Sequence, residues 1–373
     1  MMAPVCQGEL RMDPFVIAIP DDQLDDLHRR LDNTRFGPEA RVSDWSQGMP
    51  ASTLRILVDH WRHEFNWRAQ EARLNRYEQY VADVDGTRIH FVWAKSGNAN
   101  RVPVILTHGW PYTFAEMLPL ADALIGEVDV VVPSLPGFGF SEPLAQPFSD
   151  QVVAERWHSL MTHVLGYKRY LTYGEDVGAG ISDWLAGLHP EPAAGIVASH
   201  ASFSARDREG VVLDDEETQF FAWLNDRWRL ASAYAAVQGT RPDTLAAALT
   251  DSPAGLLAWI GEKLAEWSDG DGYEAFGPVT LLTTASIYWF SGTIGTSFRP
   301  YADHVTGQVH PLIEVPASIV VQTHEGEYPR SLAEKSYLDL RSFKKLEVGG
   351  HFTAFEAPSR VARAILDLER MVR

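Results

Sequence analysis

Apolar and polar positions recur with two different periods along this chain, and the change from one to the other organises it. At 21–33, Leu24, Leu27 and Leu31 follow two aspartates at helical spacing, which predicts a helix. A second amphipathic segment, about 52–74, carries Leu54, Leu57, Trp61 and Phe65 on one side. Residues 1–75 therefore read as an N-terminal helical meander. Strand patterns follow. Segments 80–84 and 89–93 flank Asp85-Gly86, a hairpin signal. The stretches 102–107 and 128–133 are continuous apolar runs, as expected of strands covered on both faces. Segments 170–173, 195–199 and 318–323 complete the set, with 344–348 as a weaker last strand. Helical patterns at 151–165, 180–188 and 359–372 separate them. Such alternation implies an α/β fold, a mostly parallel sheet with helices on both faces.

Residues 203–303 break the alternation. They are helix-rich and aromatic and fall between two sheet strands, so they read as a helical cap inserted over the strand ends, where open α/β sheets place their sites. The organisation is thus 1–75 meander, 76–202 first part of the core, 203–303 cap and 304–373 second part of the core.

Composition narrows the picture. A chain of 373 residues with 45% hydrophobic residues and 12 tryptophans can bury a large core. A formal charge of −18 argues against nucleic acid or an anionic membrane surface as partner. The lone Cys6 excludes an internal disulfide and a CxxC metal site and suits a reducing compartment. The first 14 residues lack a signal-peptide core, and no apolar run approaches the ~20 residues of a membrane span. The expectation is a cytoplasmic protein without membrane anchor, metal or cofactor. Homo-oligomerisation stays open.

The candidate chemistry centres on Gly174-Glu175-Asp176-Val177-Gly178, which closes the apolar run 170–173. The spacing is that of a nucleophile elbow, a strained strand-to-helix turn that pushes its central side chain out over the sheet edge. Aspartate stands where an esterase has serine. A carboxylate there can attack an electrophilic sp3 carbon and leave an ester for water to cleave, which points to epoxide opening or halide displacement. Three further features fit. His108-Gly109-Trp110-Pro111 ends the strand at 102–107, where a loop N–H serves an oxyanion hole; the donors would be Trp110 and Val177. His108 itself reads as a structural hydrogen-bonder. Gly349-Gly350-His351-Phe352 follows the last strand, and His351 would activate water. Glu325 and Glu327 lie just past 318–323, where a carboxylate would orient His351; Glu325 is preferred for its proximity to the strand end.

In these motifs and in Pro136-Gly137-Phe138-Gly139-Phe140-Ser141, Gln238-Gly239-Thr240-Arg241-Pro242-Asp243-Thr244 and Asp251-Ser252-Pro253-Ala254-Gly255-Leu256, the chain resembles the microsomal-type epoxide hydrolases. That group includes juvenile-hormone epoxide hydrolases, and the resemblance covers nearly the whole chain. It implies an α/β-hydrolase fold, a small-molecule epoxide as substrate and a vicinal diol as product. It also implies two cap tyrosines that donate to the epoxide oxygen, matched here by Tyr234 and Tyr301. One departure stands out. The family typically shows Gly-Gly-Asp-Trp-Gly, so Val177 replaces an indole and Glu175 a glycine. The missing indole suggests room for a bulky, polycyclic epoxide. Glu175 is expected to point away from the nucleophile, toward a helix or another loop. The rival enzyme reading is a haloalkane dehalogenase, which shares the Asp nucleophile but wants tryptophan at 177 and has no role for the tyrosines. A non-catalytic binding protein would not need His351.

Overall fold

The computed structural model describes residues 12–38, 45–270, 273, 275–304, 309–322 and 326–373. Among these, nine strands form one sheet: β1 (Met12–Phe15), β2 (Gln79–Val84), β3 (Thr87–Ala94), β4 (Val104–Thr107), β5 (Val130–Pro133), β6 (Tyr170–Gly174), β7 (Ala193–Ala198), β8 (Ile313–Gln322) and β9 (Tyr337–Leu346). Their spatial order is β1-β2-β3-β5-β4-β6-β7-β8-β9. The pairs from β5 to β9 are parallel, and β1, β2 and β3 add an antiparallel edge. Every residue of β4, β5, β6 and β7 is buried, which is why they read as unbroken apolar runs. Helices lie against both faces. Thus Gly195 of β7 lies near Leu368 in the C-terminal helix Pro358–Val372, and Thr172 of β6 donates a hydrogen bond to Ser182 in Val177–Leu188. This is the α/β-hydrolase fold.

Several elements differ from the sequence reading. The N-terminal segment is not wholly helical, because β1 pairs with β2 as an edge strand. Four residues containing a proline show too few alternations to reveal a strand. The segment at 52–74 is two helices, Ala51–His63 and Trp67–Leu74. Asn66 ends the run between them, its side chain accepting the Ala69 N–H at 3.0 Å as an N-cap. The last strand begins at Tyr337 rather than 344, since this half-exposed edge lacks an apolar run. The helix at 151–165 is α-helical over Asp150–Ser159 and widens to a π-turn over Leu160–Val164.

Between β7 and β8 the regular structure among the described residues is helical, from Asp215–Ala231 through Ala233–Thr240, Pro242–Asp251, Pro253–Glu266 and Gly277–Ser291 to Arg299–Ala302. The N-terminal helices brace this cap. The buried Trp61 indole donates to Ser286 at 3.1 Å, Arg30 reaches the carbonyl and carboxylate of Asp251 at 2.7 Å, and Trp67 packs on Phe290. Among the described residues no helix is long and apolar enough to cross a membrane.

Candidate functional site

The carboxyl ends of β4, β6, β7 and β9 deliver His108–Trp110, Asp176, His200 and His351 to one edge of the sheet, the usual location in open α/β folds. Asp176 has φ 53° and ψ −123°, a left-handed backbone that a non-glycine residue adopts only under strain of roughly 1–3 kcal/mol. Its surroundings force this geometry. A Cβ on Gly174 would strike the Gly178 carbonyl, one on Gly178 the Thr107 carbonyl, and one on Gly109 the Asp176 carboxylate itself. The three glycines therefore allow the ends of β4 and β6 to close on the elbow.

The two carboxylate oxygens of Asp176 meet different partners. Oδ1 accepts the Trp110 N–H at 2.9 Å, and the Val177 N–H also bonds the carboxylate. Oδ2 lies 3.4 Å from His351 Nε2. Burial pushes this carboxyl up, but the His351 imidazole and the two N–H donors outweigh it and hold it below the ordinary aspartate value. It is therefore an anion at neutral pH. His108 is a buried anchor, as the sequence suggested. Its Nε2 accepts the Leu135 N–H at 3.1 Å and its Nδ1 donates to the Gly109 carbonyl at 2.9 Å, while burial pushes its pKa down to about 4.

The glycines before His351 have separate reasons. Gly349 takes φ 97°, a left-handed conformation, and a Cβ on Gly350 would run into the backbone of Trp267 and Asp269. The His351 N–H donates to the Trp267 carbonyl at 2.8 Å, and the two rings lie 4.9 Å apart. His200 ties this loop to the elbow. The Asp176 N–H donates to His200 Nδ1 and His200 Nε2 donates to the His351 carbonyl, both at 2.9 Å, which fixes a neutral imidazole. Sequence reasoning missed His200 and Trp267. The only signal for His200 was its place just beyond a parallel strand.

From the cap, Tyr234 stacks on Trp110 with ring centroids 5.3 Å apart, and Tyr301 packs edge-on to Tyr234 at 5.8 Å with the two phenols hydrogen-bonded. Burial, the Asp176 charge and Tyr234 raise the Tyr301 phenol well above its usual range, so it stays protonated. A cavity of about 320 Å³ opens beside Asp176, His351 and Tyr234, with Phe220, Leu224 and Trp228 among its apolar walls. Val177 packs against the core and is not among the residues lining it. Glu325 lies outside the described residues. Glu327 is turned to solvent and pairs with Lys345 at 2.5 Å.

Glu175 points away from Asp176 and is fully buried. Burial pushes its carboxyl up to about 7, against the opposing hydrogen bonds of Tyr173 and the Ala354 N–H. An acid raised in the folded state stabilises the fold below its unfolded value and loses that contribution as pH rises through the folded one. Between pH 4.5 and about 7 the wild type should lose about 3 kcal/mol of unfolding free energy relative to Glu175→Gln. Denaturant unfolding of both proteins across that range checks it, and parallel pH profiles would contradict it.

Residues 12–117 match the family described as Epoxide hydrolase N terminus, and residues 104–364 match the Alpha/beta hydrolase family. The chain is 36% identical to a putative epoxide hydrolase of Stigmatella aurantiaca, over 96% of this chain and 85% of that protein. It is 29% identical to Epoxide hydrolase 1 of Sus scrofa, over 97% of this chain and 89% of that one. The solved juvenile hormone epoxide hydrolase of the silkworm Bombyx mori superposes with a TM-score of 0.88 at 26% identity, covering 98% and 95% of the two chains.

Proposed function

Because the chain belongs to the epoxide hydrolase family of the α/β-hydrolase superfamily, we propose that it opens its epoxide to a vicinal diol through a covalent ester on Asp176. The observation that carries this reading is the division of labour between the two oxygens of one ionised carboxylate. Oδ1 sits on the Trp110 N–H while Oδ2 stands beside an imidazole, in a carboxylate that lines the cavity.

In the first step Oδ2 attacks an epoxide carbon and the ring C–O bond breaks. A phenol of Tyr234 or Tyr301 gives its proton to the departing oxygen, since an alkoxide is a poor leaving group. The negative charge that makes the Tyr301 phenol hard to ionise is consumed as the ester forms, so proton donation becomes easier as the ring opens. In the second step His351 Nε2 takes a proton from water, and the hydroxide adds to the ester carbonyl carbon. The oxyanion develops on Oδ1, already in place against the Trp110 N–H, with the Val177 N–H also bonded to this carboxyl group. Its collapse breaks the bond between the carboxyl carbon and Oδ2 and releases the diol alkoxide, which takes the proton from His351. The proton left on the Asp176 carboxyl passes through solvent to the phenolate formed in the first step, restoring both carboxylate and phenol. Glu325 is proposed to orient His351, supported by its position just beyond β8 and by the outward turn of Glu327. The phenol pair facing Asp176 favours an epoxide over a haloalkane, whose halide needs no proton. Cavity volume and aromatic walls, rather than Val177, support a bulky substrate.

His351→Gln should gain the mass of one substrate molecule on incubation with an epoxide, and Asp176→Ala should gain none. An adduct on Asp176→Ala would point to a different nucleophile. Removing both phenols in Tyr234→Phe/Tyr301→Phe should slow ring opening by about 10²–10⁴-fold in single-turnover kinetics. A panel of epoxides should favour large aromatic members; strict preference for small aliphatic ones would contradict the bulky-substrate reading.

A further inference from the structure

The side chain next to the nucleophile has no part in the two steps above, yet its carboxyl group is surrounded by hydrogen-bond donors. Glu175 is 0% exposed. Its Oε1 accepts the Ala354 N–H at 2.6 Å and the hydroxyls of Tyr173 and, at 3.4 Å, Ser199; its Oε2 accepts the Tyr112 hydroxyl at 3.4 Å. These donors come from four different places. Tyr173 lies on β6, Ser199 just past β7, Tyr112 on the loop that carries Trp110, and Ala354 in the short helix Thr353–Glu356 directly after His351. The Ala354 N–H lies in a helical first turn, where no helical carbonyl is available to accept it.

We propose that Glu175 is a positioning residue for ester hydrolysis, its carboxyl fastening the loop that carries His351 to the strand that carries Asp176. The inference rests on the Asp176 ester reading. The loop is tied to the cap by the Gly349 N–H on Asp269 Oδ2 at 2.8 Å and the Asp269 N–H on Glu356 Oε2 at 2.7 Å, and three further hydrogen bonds hold it around His351. The Trp267 carbonyl takes its N–H at His351, His200 takes its carbonyl at the same residue, and Glu175 takes the N–H three residues on. Beyond His351 the buried Phe352 packs on Tyr112 and Phe276, and the Ala354 hydrogen bond is the one of the three that ties this stretch to the residue beside Asp176. Ring opening needs Asp176, the N–H donors and the phenols, none of which Glu175 holds through Ala354. Hydrolysis needs the imidazole at one distance from the ester carbonyl, where a misplacement of about 1 Å can slow a reaction some 10²-fold. The effect of losing Glu175 therefore falls on the second step.

Ester formation and decay are to be followed in the full-length protein by rapid quenching and intact mass after mixing with styrene oxide or a larger aryl epoxide that the wild type turns over. In Glu175→Ala, ester should form within about twofold of the wild-type rate and decay about 10- to 100-fold more slowly, so that it accumulates. Glu175→Gln keeps an oxygen for the Ala354 N–H and should decay within about threefold of wild type. Should Glu175→Ala fail to fold, Ala354→Pro removes the same hydrogen bond from the other side and should show the same slow decay. Unchanged decay, or equal slowing of both steps, overturns the proposal. His351→Gln is the control: if it forms no ester, the Asp176 reading falls and this inference with it, whereas ester there with normal decay in Glu175→Ala removes this inference alone.

Discussion

The strained backbone at Asp176 is the constraint on which the rest of the site depends. A residue held at φ 53° and ψ −123° between Gly174 and Gly178 throws its side chain off the end of β6, directly against the loop that leaves β4. Without side chains on Gly109 and Gly178 those two loops can close until the Trp110 N–H is 2.9 Å from Oδ1. The strain of roughly 1–3 kcal/mol is small beside the burial of β4, β5, β6 and β7 around it. A rigid core can therefore hold a carboxylate with one oxygen on a backbone donor and the other beside the His351 imidazole.

Parallel topology then brings the remaining groups to the same edge. The carboxyl ends of β7 and β9 supply His200 and His351, and the cap, inserted between β7 and β8, lowers Tyr234 and Tyr301 onto Trp110. On the proposed mechanism core and cap contribute opposite chemistry, base and nucleophile from below and phenolic acids from above. The N-terminal helices matter to this because Trp61 and Arg30 hold the cap helices Gly277–Ser291 and Pro242–Asp251 in place.

The motifs with glycine were legible in the sequence because their demands are local. A nucleophile elbow, the turn before His351 and the loop after β4 each need backbone positions that a side chain would block, and the spacing of glycines displays that need. The buried strands were legible for a similar reason, since burial on both faces leaves an unbroken apolar run. What escaped depends on partners far apart in the chain. His200 acquires a role only because β7 lies beside β6 and the loop after β9 returns to meet it. Trp267 acts through a cap segment that folds back onto Gly350. Glu175 could be read as turned from the nucleophile, but its donors on four separate elements could not be foreseen. The edge strands β1 and β9 were missed or shortened because exposure on one side dilutes the apolar signal.

The central claim is that the Asp176 carboxyl becomes bonded to substrate carbon and is restored by water attacking its own carbonyl carbon. A single turnover in ¹⁸O-water, followed by mass analysis of the diol and of the peptide containing Asp176, tests it most directly. The account predicts heavy oxygen in the Asp176 carboxylate and ordinary oxygen in the first diol released. Heavy oxygen in that diol with none in the peptide would contradict it.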